Sequence, residues 1–330
     1  MKFYVRRITF YVITLWAAIS LNFALPRLMP GDAMSTMIAR MGRSGDIPES
    51  TLRSIELLFG NPDESSLWEQ YVAYLGQLFR GDLGVSVTKY PAPVTELIGQ
   101  ALPWTIGLVG LATVISFVLG VGAGAFVGWK RGTWVDSFVP ASTLLQAVPY
   151  FWLAMIFVYL FAVTNRWFPI AWNYDPFSFS GPELSWAFVG SVVYHGTLPA
   201  LTIVISSFGG WLLGMRNMMV ATLSEDYVTT AEAKGLKRSR ILTTYAARNA
   251  ALPSMAGFSI ALAFVVAGSI VTEQVFSYPG LGKLMITAVQ GNDYALMQGT
   301  FLVITIAVLA ANFLMDLIYG FIDPRTRHNG

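Results

Sequence analysis

Apolar residues are concentrated in six long stretches that polar segments separate. The stretches run over residues 8–28, 104–129, 138–163, 198–222, 255–276 and 296–322. A helix of about 20 mostly apolar residues is long enough to cross the hydrocarbon layer of a bilayer. The pattern therefore predicts an all-α, polytopic membrane protein with six transmembrane helices.

The first apolar stretch follows Lys2, Arg6 and Arg7, as the apolar part of a cleaved signal peptide would. Its length exceeds the usual run of about 7–15 apolar residues in signal peptides, and no A-x-A site follows it. We therefore predict a retained first helix.

The polar segments divide the chain into three predicted parts. Residues 1–30 form an N-terminal transmembrane helix, and residues 31–103 form an external segment of short helices packed on the outer face. Residues 104–330 form a core of five helices. The polar segment 224–253 projects from this core and holds most of its cytoplasmic charge.

Composition supports the membrane assignment and excludes several function classes. Hydrophobic residues make up 55% of the chain and charged residues only 12%, about half the charged share of a soluble domain. The net charge of +2 gives no reason to expect a nucleic-acid partner. The absence of cysteine excludes thiol nucleophiles and thiolate-bound metals. His195 and His328 are the two histidines, and no metal cluster or Ser-His triad can be assembled around them.

The basic residues predict the orientation of the helices. With the N-terminus inside, 13 of the 21 Lys and Arg residues fall on the inner side, including the short turn Lys130-Arg131. Because short cytoplasmic loops are enriched in Lys and Arg, we predict that both termini are cytoplasmic.

Within the spans, small and kinking residues predict local packing. Gly120, Gly124 and Gly128 lie on one stripe of the second span, where they let a neighbouring helix approach closely. Pro140 and Pro149 predict that the third span is kinked or begins late.

Polar residues inside spans are candidates for a solute pathway, because ionisable and amide groups are rare in a bilayer. Glu273, Gln146 and Asn312 are the pathway candidates. Arg216 and Asp316 are predicted nearer the cytoplasmic interface, where pairing or solvation explains them as well.

The segment 224–253 predicts two short helices joined by a glycine turn. Ser224 is a candidate N-cap before Glu225 and Asp226, and Gly235 is a candidate helix terminator. A second helix is predicted over residues 239–250, with Pro253 ending it. From the residues alone, both a solvated connection and a helical knob for docking remain open.

Ordered motifs along nearly the whole chain resemble the B-type permeases of ATP-binding cassette (ABC) importers for dipeptides, oligopeptides and nickel. Ala231-Glu-Ala-Lys-Gly235, with Pro253 eighteen residues beyond the glycine, is similar to the coupling motif of ABC importer permeases. The other motifs similar to that family are Arg27-Leu-Met-Pro-Gly-Asp32, Gly81-Asp-Leu-Gly-Val-Ser86, Glu273-Gln-Val-Phe-Ser-Tyr-Pro-Gly-Leu-Gly282, Asp316-Leu-Ile-Tyr and Asp323-Pro-Arg325.

The resemblance implies a type I importer fold and a non-enzymatic pore subunit in a prokaryotic inner membrane. It implies a second, C-type permease, two ATPase subunits and an external substrate-binding protein as partners, besides membrane lipid. ATP and Mg²⁺ would be bound by the ATPases, and this chain would bind no cofactor. Closure of the ATPases would move the coupling loop and switch the channel between inward- and outward-facing states. The coupling residues implied are Ala231, Glu232, Ala233, Lys234, Gly235 and Leu236.

The chain itself lacks a phosphate-binding loop of the form G-x-x-x-x-G-K-[ST]. Its one Gly-Lys pair, Gly282-Lys283, is followed by Leu284 and has Ser277 where the first glycine is required. The sequence therefore predicts that energy comes from partner subunits.

Peptides are the substrate class that the resemblance favours, with oligosaccharides, nickel chelates and glutathione as alternatives. An ion-coupled secondary transporter is a second hypothesis. Such carriers usually show internal repeats and charges at the membrane midplane, neither of which is apparent here. A structural membrane protein without transport would not explain the coupling motif.

Overall fold

The computed structural model of the chain describes residues 2–28, 38, 66–265 and 270–322. In these residues the secondary structure is helical, apart from turns and one isolated bridge between Val85 and Pro93. The helices are α1 (Lys2–Leu28), α2 (Leu67–Phe79), α3 (Val94–Trp129), α4 (Trp134–Ala147), α5 (Tyr150–Thr164), α6 (Trp186–Leu223), α7 (Asp226–Ala233), α8 (Arg238–Arg240, Ile241–Ala247 and Arg248–Ala263 in succession), α9 (Ile270–Val275), α10 (Leu281–Gln290) and α11 (Tyr294–Ile322).

Four of the described helices are long and apolar enough to cross a membrane, namely α1, α3, α6 and the α11 portion Tyr294–Phe313. The pair α4–α5 makes a fifth span if it is counted as one, although the two helices are bent by 91°. The fold is thus an all-helical membrane protein in the part that the structure describes. The count of six spans remains a prediction.

The bend between α4 and α5 lies at Pro149, which has the extended ψ of 130° and precedes the first residue of α5. A proline biases the residue before it away from helical geometry. The kink predicted for this span is therefore confirmed, with Pro149 rather than Pro140 at the break, since Pro140 lies inside α4.

The predicted fifth span, residues 255–276, does not match one helix in the described residues. Helix α8 ends at Ala263 and α9 begins at Ile270, with residues 266–269 outside the described part. The family-like motifs at residues 29–32 and 323–325 also fall outside it, as does most of the predicted external segment before Ser66.

The chain divides into two compact units, one formed by Met1–Pro103 with Gly280–Gly330 and the other by Trp104–Pro279. In the first unit, α1 packs along α11. The Asn22 amide donates to the Gln298 carbonyl at 2.7 Å, and the rings of Tyr11 and Phe313 meet edge to face. Gly299 leaves room for Val94, because an added Cβ would lie 2.4 Å from Val94 Cγ1.

In the second unit, the glycine stripe of α3 lies directly against α6. Gly120, Gly124 and Gly128 are all buried. A Cβ added to Gly124 would lie 2.4 Å from the Leu212 carbonyl oxygen, and one added to Gly128 would lie 2.5 Å from Met219 Cβ. The predicted close helix contact is confirmed, and α3 and α6 form the central pair of this unit.

Candidate coupling site

The segment 224–253 begins with a sharp turn between α6 and α7. Ser224 is the C-cap of α6, and its hydroxyl donates to the Ala221 carbonyl at 2.7 Å. Glu225 has extended backbone geometry and is the N-cap of α7. The prediction that Ser224 is the N-cap of the first short helix, α7, was wrong, because its hydroxyl is bonded at the end of α6 and Glu225 takes the N-cap position. Asp226 lies in the first turn of α7, where a helix N-terminus favours a negative charge.

Helix α7 ends in a Schellman motif centred on Gly235, which has φ +70°. The Gly235 N–H donates to the Glu232 carbonyl at 2.8 Å, and the Leu236 N–H donates to the Ala231 carbonyl at 3.3 Å. A left-handed residue is required at this position, and glycine adopts that geometry without steric penalty. The prediction that Gly235 terminates the helix is confirmed.

One face of α7 is fixed to the rest of the second unit by apolar contacts. Val228 and Ala231 are 1% and 3% exposed, and they form a buried cluster with Ile241 at the start of α8. Partly buried side chains complete the cluster: Trp129, Leu223, Leu236 and Tyr245. Because these residues come from α3, α6 and α8, the short helix is attached to the long apolar helices and cannot move independently of them without losing this contact.

The opposite face of α7 and its terminal turn are exposed. Glu232, Ala233, Lys234 and Gly235 all present to solvent, while Leu236 is half-buried. The exposed charges of this region are mixed in sign and dominated by bases, namely Glu225, Asp226, Glu232, Lys234, Lys237, Arg238, Arg240 and Arg248. Of the six predicted coupling residues, four are therefore available to a partner, and Ala231 with Leu236 holds them in place.

Helix α8 runs on from the coupling turn without a break. Its π-helical part, Ile241–Ala247, leads directly into Arg248–Ala263, and Pro253 lies inside that helix. The prediction that Pro253 ends the helix was wrong. Proline is tolerated inside membrane helices, where neighbouring groups and local π geometry satisfy the freed backbone carbonyls.

An ion pair ties α4 to α6 in the second unit. The Arg216 Nη2 atom lies 2.9 Å from Asp136 Oδ1 and 3.2 Å from Oδ2. The two side chains are 21% and 23% exposed. From the sequence, Arg216 could be either paired or solvated. In the structure it is paired with Asp136.

The pathway candidates lie in different surroundings. Glu273 is fully buried, and the Thr105 hydroxyl donates to its Oε1 at 2.8 Å. Gln146 is exposed on α4, with its amide beside Gly210 of α6. Asn312 is half-buried on α11, in the first unit. Among the described residues, no hydrogen bond joins Gln146 to Glu273.

A cavity of about 350 Å³ in the second unit is lined in part by Gly210, the residue beside the Gln146 amide. Its lining residues are Thr113, Ser207, Gly210, Trp211 and Ala261. The lining combines two hydroxyl groups with an indole, whereas the sequence pattern had singled out amide and carboxyl residues. Hydroxyl residues are frequent in membrane helices, which is why the pattern did not single out Thr113 or Ser207.

The motif Gly81–Ser86 has a structural role in the first unit. The Ser86 hydroxyl donates to the Asp293 carboxylate at 2.5 Å, and Thr88 donates to the same oxygen from its N–H at 2.8 Å and its hydroxyl at 2.9 Å. The other oxygen accepts the Leu296 N–H at 3.1 Å, so Asp293 also caps α11. Asp293 is fully buried and was not identified from the sequence, because its partner lies 207 residues away.

Comparison with known proteins identifies the family. Residues 116–328 match the family described as binding-protein-dependent transport system inner membrane component. The chain is 30% identical, over 99% of both chains, to the di/tripeptide transport system permease protein DppB of Pseudomonas aeruginosa (strain UCBPP-PA14) and to the dipeptide transport system permease protein DppB of Escherichia coli (strain K12). It is 35% identical to a putative peptide transport system permease protein of Brucella abortus (strain 2308), over 94% of this chain and 93% of that one.

The match to the family covers more than half of the chain, and the relatives align over nearly its full length. Together with the apolar helices, this makes the protein a multi-pass transport component of the inner membrane. The chain belongs to the family of inner-membrane components of binding-protein-dependent transport systems.

Proposed function

We propose that this chain is a pore-forming subunit of an ATP-driven importer for di- and oligopeptides, and that α7 with its terminal turn is the surface on which a partner ATPase docks. The observation that carries the proposal is the exposed face of α7 on a helix whose other face is packed against α3, α6 and α8. This arrangement is what a mechanical coupling element needs.

Helix α7 is held rigidly at its exit and along its inner face. The Schellman motif fixes the exit of the helix, and the Val228–Ala231–Ile241 contact fixes its inner face. A force applied to Glu232, Ala233 or Lys234 would therefore be transmitted to the start of α8 and the end of α6. Rigid helices moved by a bistable partner are a known way to switch a protein between two states.

Energy in this proposal comes from two ATPase subunits that bind ATP and Mg²⁺, because the chain has no phosphate-binding loop. A second, C-type permease would complete the channel, and an external binding protein would deliver the substrate. The exposed bases and acids around α7 give the ATPase a surface of mixed charge to recognise.

For the membrane arrangement we propose six spans with both termini in the cytoplasm. The described helices supply four spans and the bent pair α4–α5. Helices α8 and α9 would together make the sixth, at residues 255–276. The proposed orientation puts α7 on the cytoplasmic side, with the Lys130-Arg131 turn.

Peptide is the substrate class that the names of the relatives support, since they are permeases of di/tripeptide, dipeptide and peptide transport systems. Oligosaccharides and nickel chelates are the alternatives within the same importer type. The cavity beside Trp211, with the hydroxyls of Thr113 and Ser207, is our candidate for part of the solute path within the second unit, to which Gln146 and Glu273 also belong. Asn312, in the first unit, is a separate pathway candidate.

The test begins with purification of the tagged chain from its own cells in mild detergent. We expect a second permease and ATPase subunits to co-purify. We also expect the reconstituted complex to take up a radiolabelled dipeptide only with ATP and the binding protein present. A chain that emerges alone, under conditions where control complexes survive, would contradict the proposal. Uptake that follows an ion gradient instead of ATP would favour a secondary transporter.

A further inference from the structure

A second cavity, of about 650 Å³, lies between the end of α5 and the first turns of α6 in the second unit. It is on the side that the basic residues predict to be external, away from α7. Its volume falls within the range of about 300–1,000 Å³ that is usual for small-molecule sites. The charged and aromatic members of its lining are Arg166, Asp175, His195, Phe168, Phe179 and Tyr194.

Arg166 lines this cavity from a strained backbone position. Asn165 is the C-cap of α5, and Arg166 follows with φ +54°, where the Trp167 N–H donates to the Phe161 carbonyl at 2.8 Å. Glycine is the residue that ordinarily suits such a helix end, and a residue with a Cβ is strained there. An arginine in this place conflicts with local preference, which is typical of residues retained for function.

The Arg166 guanidinium is exposed, and among the described residues no hydrogen bond or ion pair engages it. A cation that lines a cavity without a protein partner is available to an anionic group of a ligand. Arginine binds carboxylates particularly well, because its planar donors match the two oxygens.

Asp175 provides the opposite charge on the same cavity. Its carboxylate accepts the Ser178 hydroxyl at 2.6 Å and the Phe177 N–H at 3.0 Å, which fixes its orientation. In the described part of the chain it makes no ion pair with Arg166. Two opposite charges therefore line one cavity without forming an ion pair with each other, and aromatic rings line the same cavity.

His195 is the third polar group of the lining. A ring nitrogen, Nδ1, lies 2.8 Å from the Ser191 carbonyl oxygen, and since a carbonyl only accepts, Nδ1 carries a hydrogen. This bond fixes the ring plane. It leaves the other nitrogen, Nε2, without a protein partner among the described residues.

We propose that this cavity is an outer-face subsite for a small zwitterionic peptide, with the peptide carboxylate at Arg166, its ammonium group at Asp175 and its side chains against Phe168, Phe179 and Tyr194. The inference rests on the proposed peptide function and extends it. The site would hold a peptide on the predicted outer face as the binding protein releases it.

The test measures binding of the dipeptide alanyl-phenylalanine to the intact transporter in lipid nanodiscs, without the binding protein, by saturation-transfer NMR. We expect N-acetylation or C-amidation of the dipeptide to weaken binding about tenfold, the loss typical of one charge-assisted contact. Arg166→Gln should weaken binding of the free dipeptide about tenfold but leave binding of the C-amidated form unchanged. Asp175→Asn should weaken binding of the free dipeptide about tenfold but leave binding of the N-acetylated form unchanged.

Two control variants separate these effects from misfolding. Arg80→Gln removes an exposed arginine outside the cavity and should not change binding. Ser178→Ala removes a bond that fixes the Asp175 turn but keeps the charge, so its effect should be smaller than that of Asp175→Asn.

The proposal is overturned if the wild-type transporter does not bind the dipeptide, if blocked and free dipeptides bind equally, or if Arg166→Gln is without effect. These failures differ from a failure of the proposed function. If the proposed function is wrong, the wild-type complex does not take up dipeptide even with ATP and the binding protein present.

Discussion

The Leu236 N–H donates to the Ala231 carbonyl at 3.3 Å across Gly235, whose φ is +70°. This bond turns the chain at the end of α7 and returns Leu236 to the apolar cluster beneath the helix. The exposed turn and the buried face of α7 are thus parts of one local structure. Substitutions at Gly235, Ala231 and Ala233 test the turn and the buried face separately.

Gly235→Val should reduce ATP-dependent uptake at least tenfold while membrane insertion and substrate capture by the binding protein persist. Nothing lies within 4 Å of an added Cβ at this position. The effect would therefore come from the left-handed backbone, which is strained by about 1–2 kcal/mol for a residue with a Cβ.

Gly235→Asn is the matched control, because asparagine tolerates the left-handed region better than other residues do. It should retain most of the uptake measured in proteoliposomes. Normal uptake by Gly235→Val would count against a coupling role for this turn.

Ala231→Gln and Ala233→Gln introduce the same side chain on the two faces of α7. Ala231 is 3% exposed, so its replacement should overpack the cluster and lower the free energy of unfolding by about 1–3 kcal/mol. Ala233 is exposed, so its replacement should leave the thermal midpoint of the purified chain unchanged and lower ATPase binding. If the two variants lose stability equally, the assignment of buried and exposed faces is wrong.

Gly124→Ala should destabilise the α3–α6 pair, because the new Cβ would lie 2.4 Å from the Leu212 carbonyl oxygen. We expect a loss of about 1–3 kcal/mol, seen as a lower thermal midpoint in detergent. Gly122→Ala on the same helix meets nothing within 4 Å and should be neutral or slightly stabilising. Equal midpoints for the two variants would contradict the close packing of α3 on α6.

Removal of either partner of the Asp136–Arg216 ion pair should lower the stability only modestly, because both side chains are partly exposed to solvent. A double-mutant cycle with Asp136→Asn and Arg216→Gln should give a small favourable coupling energy. Strictly additive losses would show that the pair contributes no interaction energy.

The stability of the second unit should depend on Asp175 at acid pH. The Ser178 hydroxyl and the Phe177 N–H hold the pKa of Asp175 below its ordinary value. A lowered folded-state pKa means that the carboxylate stabilises the protein above its unfolded pKa of about 3.9. That stabilisation is lost as the pH falls from this value through the folded pKa.

The difference in thermal midpoint between wild type and Asp175→Asn should accordingly be constant near neutral pH and shrink below about pH 3.9. Ser178→Ala should move the decline toward higher pH, because it removes the stronger of the two bonds. A difference that does not change with pH would contradict this account of Asp175.

The sequence allowed prediction of features that depend on local pattern. These features are the apolar helices α1, α3, α6 and α11, the kink at Pro149 and the glycine stripe of α3. Gly235 was predictable for the same reason, since a helix end needs a left-handed residue. The lengths of two helices were not predicted, since α3 begins at Val94 and α6 at Trp186, before the predicted starts at residues 104 and 198.

Features that depend on distant residues were not predictable in this way. The Ser86–Asp293 bond and the pairing of Arg216 with Asp136 join parts of the chain far apart in sequence. Pro253 was mispredicted for a related reason. The local sequence pattern places it at a helix end, whereas the surrounding structure permits it inside α8. The second cavity depends on the loop from Arg166 to Ser185 folding against α6, which no periodic pattern indicates.

The central claim, that a partner ATPase docks on the exposed face of α7, is tested most directly by site-specific crosslinking. The sequence has no cysteine, so a thiol can be introduced at one chosen position. Glu232→Cys places a single thiol of this chain on the exposed face of α7, and Arg80→Cys places one on the predicted outer side. Each is labelled with a maleimide–benzophenone and irradiated in the intact complex. Our account predicts a covalent adduct with an ATPase subunit from Glu232→Cys and none from Arg80→Cys. An intact complex that gives no ATPase adduct from Glu232→Cys, or equal adducts from both positions, would contradict it.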